Sequence, residues 1–230
     1  MGERVGYNAQ QVAELRTAIN EACKESVSKV SEELTSWIVK PMSTAWYAEE
    51  AQTYFEGFKE QVKASCTTIQ QVFDGFRANI LQTATDWANA TGAGDAGIPE
   101  LTAIDTPEIE FSVEAIENMD GSGNRFLDED AVQAVIGDIP SCEEAISSDL
   151  QAIAQKLDAS ASFLGGGQAA AMQDCFVKVA EAVHQIFQFI LTGDKSLNTA
   201  LTDFKTKYTG SAANVATSYK NADVKISQGE

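Results

Sequence analysis

Residues 51–87 read AQTYFEGFKEQVKASCTTIQQVFDGFRANILQTATDW. Within them Ala51, Phe55, Phe58, Val62, Cys66, Ile69, Phe73, Phe76, Ile80, Ala84 and Trp87 follow one another at steps of three or four. At 3.6 residues per turn that spacing puts all of them on one face, the mark of an amphipathic helix; a half-buried strand would need alternation. Unbroken from about Tyr47 to Asn89, the helix would reach roughly 60 Å. A stripe of that length cannot bury itself, so the rest of the chain must cover it.

Working toward the N-terminus, Val12, Leu15, Ile19, Cys23, Val27, Val30, Leu34 and Ile38 repeat the spacing. Asn8 is the predicted N-cap of this helix and Pro41 its exit. The short connection over Lys40 to Ala45 then makes the two helices antiparallel neighbours, an αα-hairpin. Toward the C-terminus the pattern stops from Thr91 to about Phe111, where Gly92, Gly94, Gly97, Pro99 and Pro107 mix with acidic residues in a linker. Phe111, Val113, Ile116 and Met119 form a short apolar patch ahead of a turn at Asp120 to Asn124.

Helical spacing then returns. Asp128 is placed to cap a short piece through Val132, Val135 and Ile136, which Pro140 is expected to interrupt. Ser141-Cys-Glu-Glu144 reads as a capping box opening a run through Ile146, Leu150, Ile153 and Leu157. After a break at Phe163-Leu-Gly-Gly-Gly167 a last run carries Ala169, Met172, Phe176, Val179, Val183 and Ile190, with a weak point at Gly193 before Leu197, Leu201, Phe204 and Tyr208. The two halves share an order of helix, aromatic-led break and longer helix, an internal repeat. An offset of 117 pairs Trp46 with Phe163 and Phe73 with Ile190, and one of 119 pairs Cys23 with Cys142.

The breaks carry a family resemblance. Trp46-Tyr-Ala48-Glu-Glu-Ala51, followed by Phe55 and Phe58, resembles the turn signature of the Trp-x-Gly (WXG) family, the early-secreted-antigen-like substrates of type VII secretion. Phe163-Leu-Gly165-Gly-Gly-Gln-Ala169 resembles a second copy. The first keeps Trp46 with Ala48 in place of the Gly; the second keeps Gly165 with Phe163 in place of the Trp. Family members are helical hairpins that pair antiparallel into four-helix bundles, and members or their partners carry Tyr-x-x-x-Asp/Glu beyond the last helix as part of the export signal. Tyr219-Lys-Asn-Ala-Asp223 matches at that place. The resemblance therefore implies the type VII secretion machinery as a partner, and another helical WXG- or LXG-type protein as a second one.

Other chemistry is thin. His184 has no neighbouring nucleophile with an orienting acid, so a helix-flank histidine is expected and no catalytic residue is assigned. Glu32-Glu33 and Glu49-Glu50 are adjacent pairs that diverge on a helix and cannot act as one dyad. Gly165-Gly-Gly167 lacks the Lys-Ser/Thr of a phosphate loop. Asp120, Ser122, Asn124 and Asp128 resemble the front of a calcium loop, but Arg125 stands where Gly is needed and Ala131 where a bidentate Glu is needed. They are a weak metal candidate beside the plainer reading of a turn and an Asp N-cap. Cys23, Cys66, Cys142 and Cys175 are widely spaced and read as small apolar residues, so no cofactor or metal is expected.

These readings converge on an all-α chain. Residues 1–92 form a first WXG-like hairpin, 93–127 an acidic linker with a short helix and turn, 128–212 a second hairpin, and 213–230 a tail with the export-like motif. The hairpins are expected to pack as an elongated antiparallel four-helix bundle, a covalent version of the family's dimer. The expected function is that of a non-enzymatic protein exported by, or assisting, a Gram-positive type VII secretion system. It would be made in the cytoplasm and found secreted or at the cell surface without a cleaved signal peptide. A cytosolic adaptor for a secreted helical toxin, and a calcium-responsive helical module, stand as alternatives.

Charge sharpens the partner classes. The chain holds 16 Lys+Arg against 34 Asp+Glu, a net charge of −18, which argues against nucleic acid and anionic lipid. The imbalance is local: residues 93–149 hold 1 basic and 15 acidic residues, whereas 150–230 hold 7 of each. No apolar run is long enough for a membrane span. An acidic joint between nearly neutral helical units suits a spacer or a docking site for a basic partner.

Overall fold

The apolar stripes fold as helices because each is continuous and each finds another stripe to cover it. In the computed structural model, which describes residues 9–90, 126–161 and 166–208, helix α1 spans Ala9–Leu34. Its stripe from Val12 through Leu15, Ile19, Cys23, Val27, Val30 and Leu34 is buried throughout. A π-helical segment, Thr35–Val39, follows, and helix α2, Lys40–Ala45, continues from it. Trp46–Tyr47 is a two-residue strand β1, and α3 runs unbroken over Glu49–Ala90, 42 residues or about 63 Å. Strand β2, Phe126–Leu127, precedes α4, Glu129–Ser160; α5 is Gly166–Leu191, and a final helix α6 covers 197–208.

Contacts across four helix pairs set the directions. Arg77 on α3 donates to Asn20 on α1 at 2.7 Å, and with the reversal at residues 46–48 makes α1 and α3 antiparallel. Lys156 reaches Glu25 at 2.8 Å while Asp128 N–H donates to the Ala45 carbonyl at 2.7 Å, so α4 runs antiparallel to α1. Phe73 packs edge-on to Phe176 at 5.7 Å and Tyr54 lies against Phe189 at 6.1 Å, so α5 runs antiparallel to α3. His184 Nδ1 lies 3.3 Å from Glu143 Oε1, and with the short chain step from Ser160 to Gly166 this makes α5 antiparallel to α4. The result is an all-α helical bundle in which α1 touches α3 and α4, and α3 touches α5, extensively; α4 and α5 touch one another least. One hydrophobic core joins side chains from all of them.

Two prolines behave differently from the sequence expectation. Lys40–Ala45 is helical, not the connection, and Pro41 sits in the first turn of α2, within a helix that runs on from the π segment, so its missing N–H costs one backbone hydrogen bond. The π segment accommodates it: Lys40 N–H donates to the Thr35 carbonyl, five residues back. The chain reverses at Trp46–Ala48 instead. Nor does Pro140 end a helix, since α4 passes through it. Its ring faces solvent, while Val135, Ile139, Cys142 and Ile146 on the opposite face stay buried, and that burial outweighs one lost hydrogen bond. Glu144 is consequently a mid-helix residue and Ser141 caps nothing. Asp128 does cap α4, accepting from Ala131 N–H at 3.0 Å.

The repeat register places like on like. Cys23 and Cys142 at the offset of 119, and Phe73 and Ile190, Phe58 and Cys175, and Ile80 and Leu197 at the offset of 117, are all buried. The halves differ where α3 continues through Ile80 while its counterpart breaks after Leu191, at Gly193 with φ of +88°. Asn8, the expected cap of α1, lies outside the described residues.

Candidate interaction sites

At one end of the bundle the chain turns around a tryptophan. Trp46 ends α2 in an extended conformation, its N–H on the Met42 carbonyl, and pairs with Leu127 in the antiparallel β1–β2 ladder. Ala48 is buried beside it and its carbonyl takes the Gln52 N–H of the first turn of α3 at 3.1 Å. A small buried residue two positions after the Trp permits close backbone approach at the reversal. Trp46 and Ala48 thus lie together at the hairpin reversal. Their proposed counterparts Phe163 and Gly165 lie outside the described residues, as do Tyr219, Asp223, Asp120, Ser122 and Asn124.

The indole of Trp46 is 1% exposed and covers the end of the core. Tyr54 and Phe204 flank it, each with ring centroids 6.2 Å away, and Tyr54 stacks in turn on Phe58 and Phe189. Phe204 belongs to α6, which folds back over this end after the break at Gly193. Ser196 caps α6 by accepting the Thr199 N–H at 3.2 Å, Lys207 pairs with Glu50 at 2.9 Å, and Lys205 pairs with Glu129. Neither the Trp46 Nε1 nor the Tyr54 hydroxyl, both buried, has a hydrogen-bond partner among the described residues. Burial pushes the Tyr54 hydroxyl well above the ordinary tyrosine range. A recess of about 420 Å³ lies alongside, between Tyr54, Gly57 and Phe189 on one side and Lys195, Asp203 and Lys207 on the other.

The covering by α6 is not visible in the sequence, where Leu197, Leu201 and Phe204 simply extend the preceding stripe. Tyr54 escapes the stripe too, although it stands three residues after Ala51 and four before Phe58, on the edge of the same face.

The other surface of note lies between α4 and α5. Because these helices meet least, an open groove of about 1070 Å³ runs between them. Leu150, Met172 and Val183 form its buried floor, Phe176 is half-buried, and Val177 is 56% exposed. Glu143, Glu144 and Asp158 stand among its lining residues, which include no Lys or Arg; His184 is held by Glu143.

The four thiols are buried in the core, and desolvation pushes each up to about 12. Cys23 lies within electrostatic reach of Cys66 and Cys175. Buried Arg77 donates to Asn20 and Asp74, and burial followed by the Arg77 charge lowers the Arg16 guanidinium from its ordinary value. Among the described residues no group of three or more His, Cys, Asp or Glu could hold a metal ion, and no helix is long and apolar enough to cross a membrane. No family model, curated protein or solved structure matches the chain.

Proposed function

We propose that this chain is a non-enzymatic type VII secretion protein, exported by or assisting the apparatus, in which two WXG-like hairpins are fused into one bundle. The observation that carries the reading is the position of Trp46 and Ala48: they sit together at the reversal between two long antiparallel helices, where the family signature belongs. The antiparallel packing of α1 on α4 and of α3 on α5 supports it, because that is how two separate hairpins of the family would pair. Fusion removes the dependence of that pairing on protomer concentration. The tail motif Tyr219 to Asp223 would complete the export feature.

Mass spectrometry of culture supernatant and cell pellet, with and without the secretion ATPase, tests the reading. The protein is expected in the supernatant only when the ATPase is present, and deletion of Tyr219 to Asp223 should retain it in the cell. Retention in the pellet under all conditions would overturn the export role. The open groove between α4 and α5 favours a second reading, a cytosolic adaptor for the helical domain of an exported toxin. Pulldown of such a partner, with the protein missing from the supernatant, selects that reading.

A further inference from the structure

Of the four neighbouring helix pairs, α4 and α5 meet least extensively. Along α4 the groove extends from Pro140 to Asp158, about 27 Å at 1.5 Å per residue, and along α5 from Met172 to His184. Those lengths match a helix of three to five turns laid between the two. The floor is apolar, and Val177 is one of just three large hydrophobic side chains exposed among the described residues. An occupant helix would present an apolar stripe to Leu150, Phe176 and Val177.

Charge decides what flanks that stripe. The groove carries Glu143, Glu144 and Asp158 and no Lys or Arg, so an acidic helix would meet like charge on entry. That disfavours the chain's own residues 93–120, which contain no Lys or Arg and eight Asp or Glu. A second copy of α4 would meet the same carboxylates. We infer that the α4–α5 groove docks an amphipathic helix of a partner protein whose apolar stripe is flanked by Lys or Arg. Val177 and Phe176 supply the apolar contact, and Glu144 and Asp158 select the charge. The inference does not depend on export, since an adaptor and an exported protein would bear the same groove.

Two fluorescein-labelled 18-residue helical peptides test it by anisotropy against the full chain. They share a Leu stripe at i, i+3, i+4 and i+7 and differ only in flanking Lys or Glu. The Lys peptide is expected to saturate at one per chain and the Glu peptide to bind at least tenfold more weakly, a margin that narrows as salt is raised. Val177→Asp, at an exposed position, should weaken the Lys peptide about tenfold or more with an unchanged circular-dichroism melt. The double variant Glu144→Lys, Asp158→Lys should reverse the preference toward the Glu peptide.

Equal binding of both peptides would overturn the inference. So would a Lys-peptide affinity that ignores Val177→Asp, or one that falls as far with Glu60→Lys, Asp86→Lys on α3, because either marks general attraction to an acidic chain. A concentration-dependent dimer dissolved by Val177→Asp would make a second copy the occupant and overturn it. Peptide binding that appears only after residues 93–120 are replaced by Gly/Ser would assign the groove to the chain itself and overturn it equally.

Discussion

Trp46 fills the end of the core with an indole whose N–H is buried with no partner among the described residues. Those facts separate two substitutions. Trp46→Ala leaves a cavity beneath Phe204 and should cost about 3–5 kcal/mol in urea unfolding. Trp46→Phe keeps most of the ring contact and removes the unsatisfied donor, whose burial carries a penalty of about 1–3 kcal/mol, so its net cost should stay small. The thiols make a second prediction at this scale. Their folded pKa of about 12 exceeds the ordinary value of 9.0, so between those pH values the unfolded chain has lost thiol protons that the native chain keeps. The thiol contribution is therefore fully present below pH 9 and declines toward pH 12. Urea midpoints should fall across that window, and Cys66→Ala should flatten the decline.

At the level of the element, α6 is joined to α5 through Gly193 at positive φ, and Phe204 is what it sets on Trp46. In a Trp37→Phe, Trp87→Phe background, Phe204→Ala should shift the Trp46 emission to the red and raise its acrylamide quenching while the far-ultraviolet spectrum stays helical. No change in quenching would mean that α6 does not shield the turn. Legibility in the sequence divides at the same level. Stripes that step by three or four predict α3 closely, Tyr47 to Asn89 against the observed Glu49–Ala90, because one helix face is a local property. Pro41 and Pro140 mislead, because a local penalty of one hydrogen bond is set against burial by distant helices. The contact of Phe204 with Trp46 and the gap between α4 and α5 both belong to tertiary packing. Nothing in the stripe of α5 records that Val177 is left exposed beside a Phe176 that packs on Phe73.

For the whole molecule, the extensive contacts of α1 with α4 and of α3 with α5 lie between the hairpins, not within the second one. Residues 1–90 and 126–208 produced as separate chains should therefore co-purify one to one, with a melting temperature that rises with concentration. Light scattering after size exclusion gives the stoichiometry, and two non-associating fragments would show that the connection does more than tether. Ion pairs between the hairpins, among them Lys156 with Glu25 and Lys29 with Asp149, lie at the surface, where water and salt screen them. Raised salt should leave that assembly nearly unchanged, since apolar burial holds it.

The packing order also has a consequence in time. The contact of Arg77 with Asn20 closes over 57 residues and that of His184 with Glu143 over 41, whereas Lys156 with Glu25 closes over 131. Short closures cost less entropy, so the first hairpin, whose two helices meet extensively, is expected to form ahead of its docking on α4 and α5. On the ribosome the first hairpin is made well before α4 and α5 exist, with the faces of Leu15, Ile19, Phe73 and Ile69 that they will share still open to water. The nascent chain therefore passes through a stage in which a finished hairpin waits for its cover, and that interval, more than the native state, is when it is most exposed to aggregation or to capture by a chaperone.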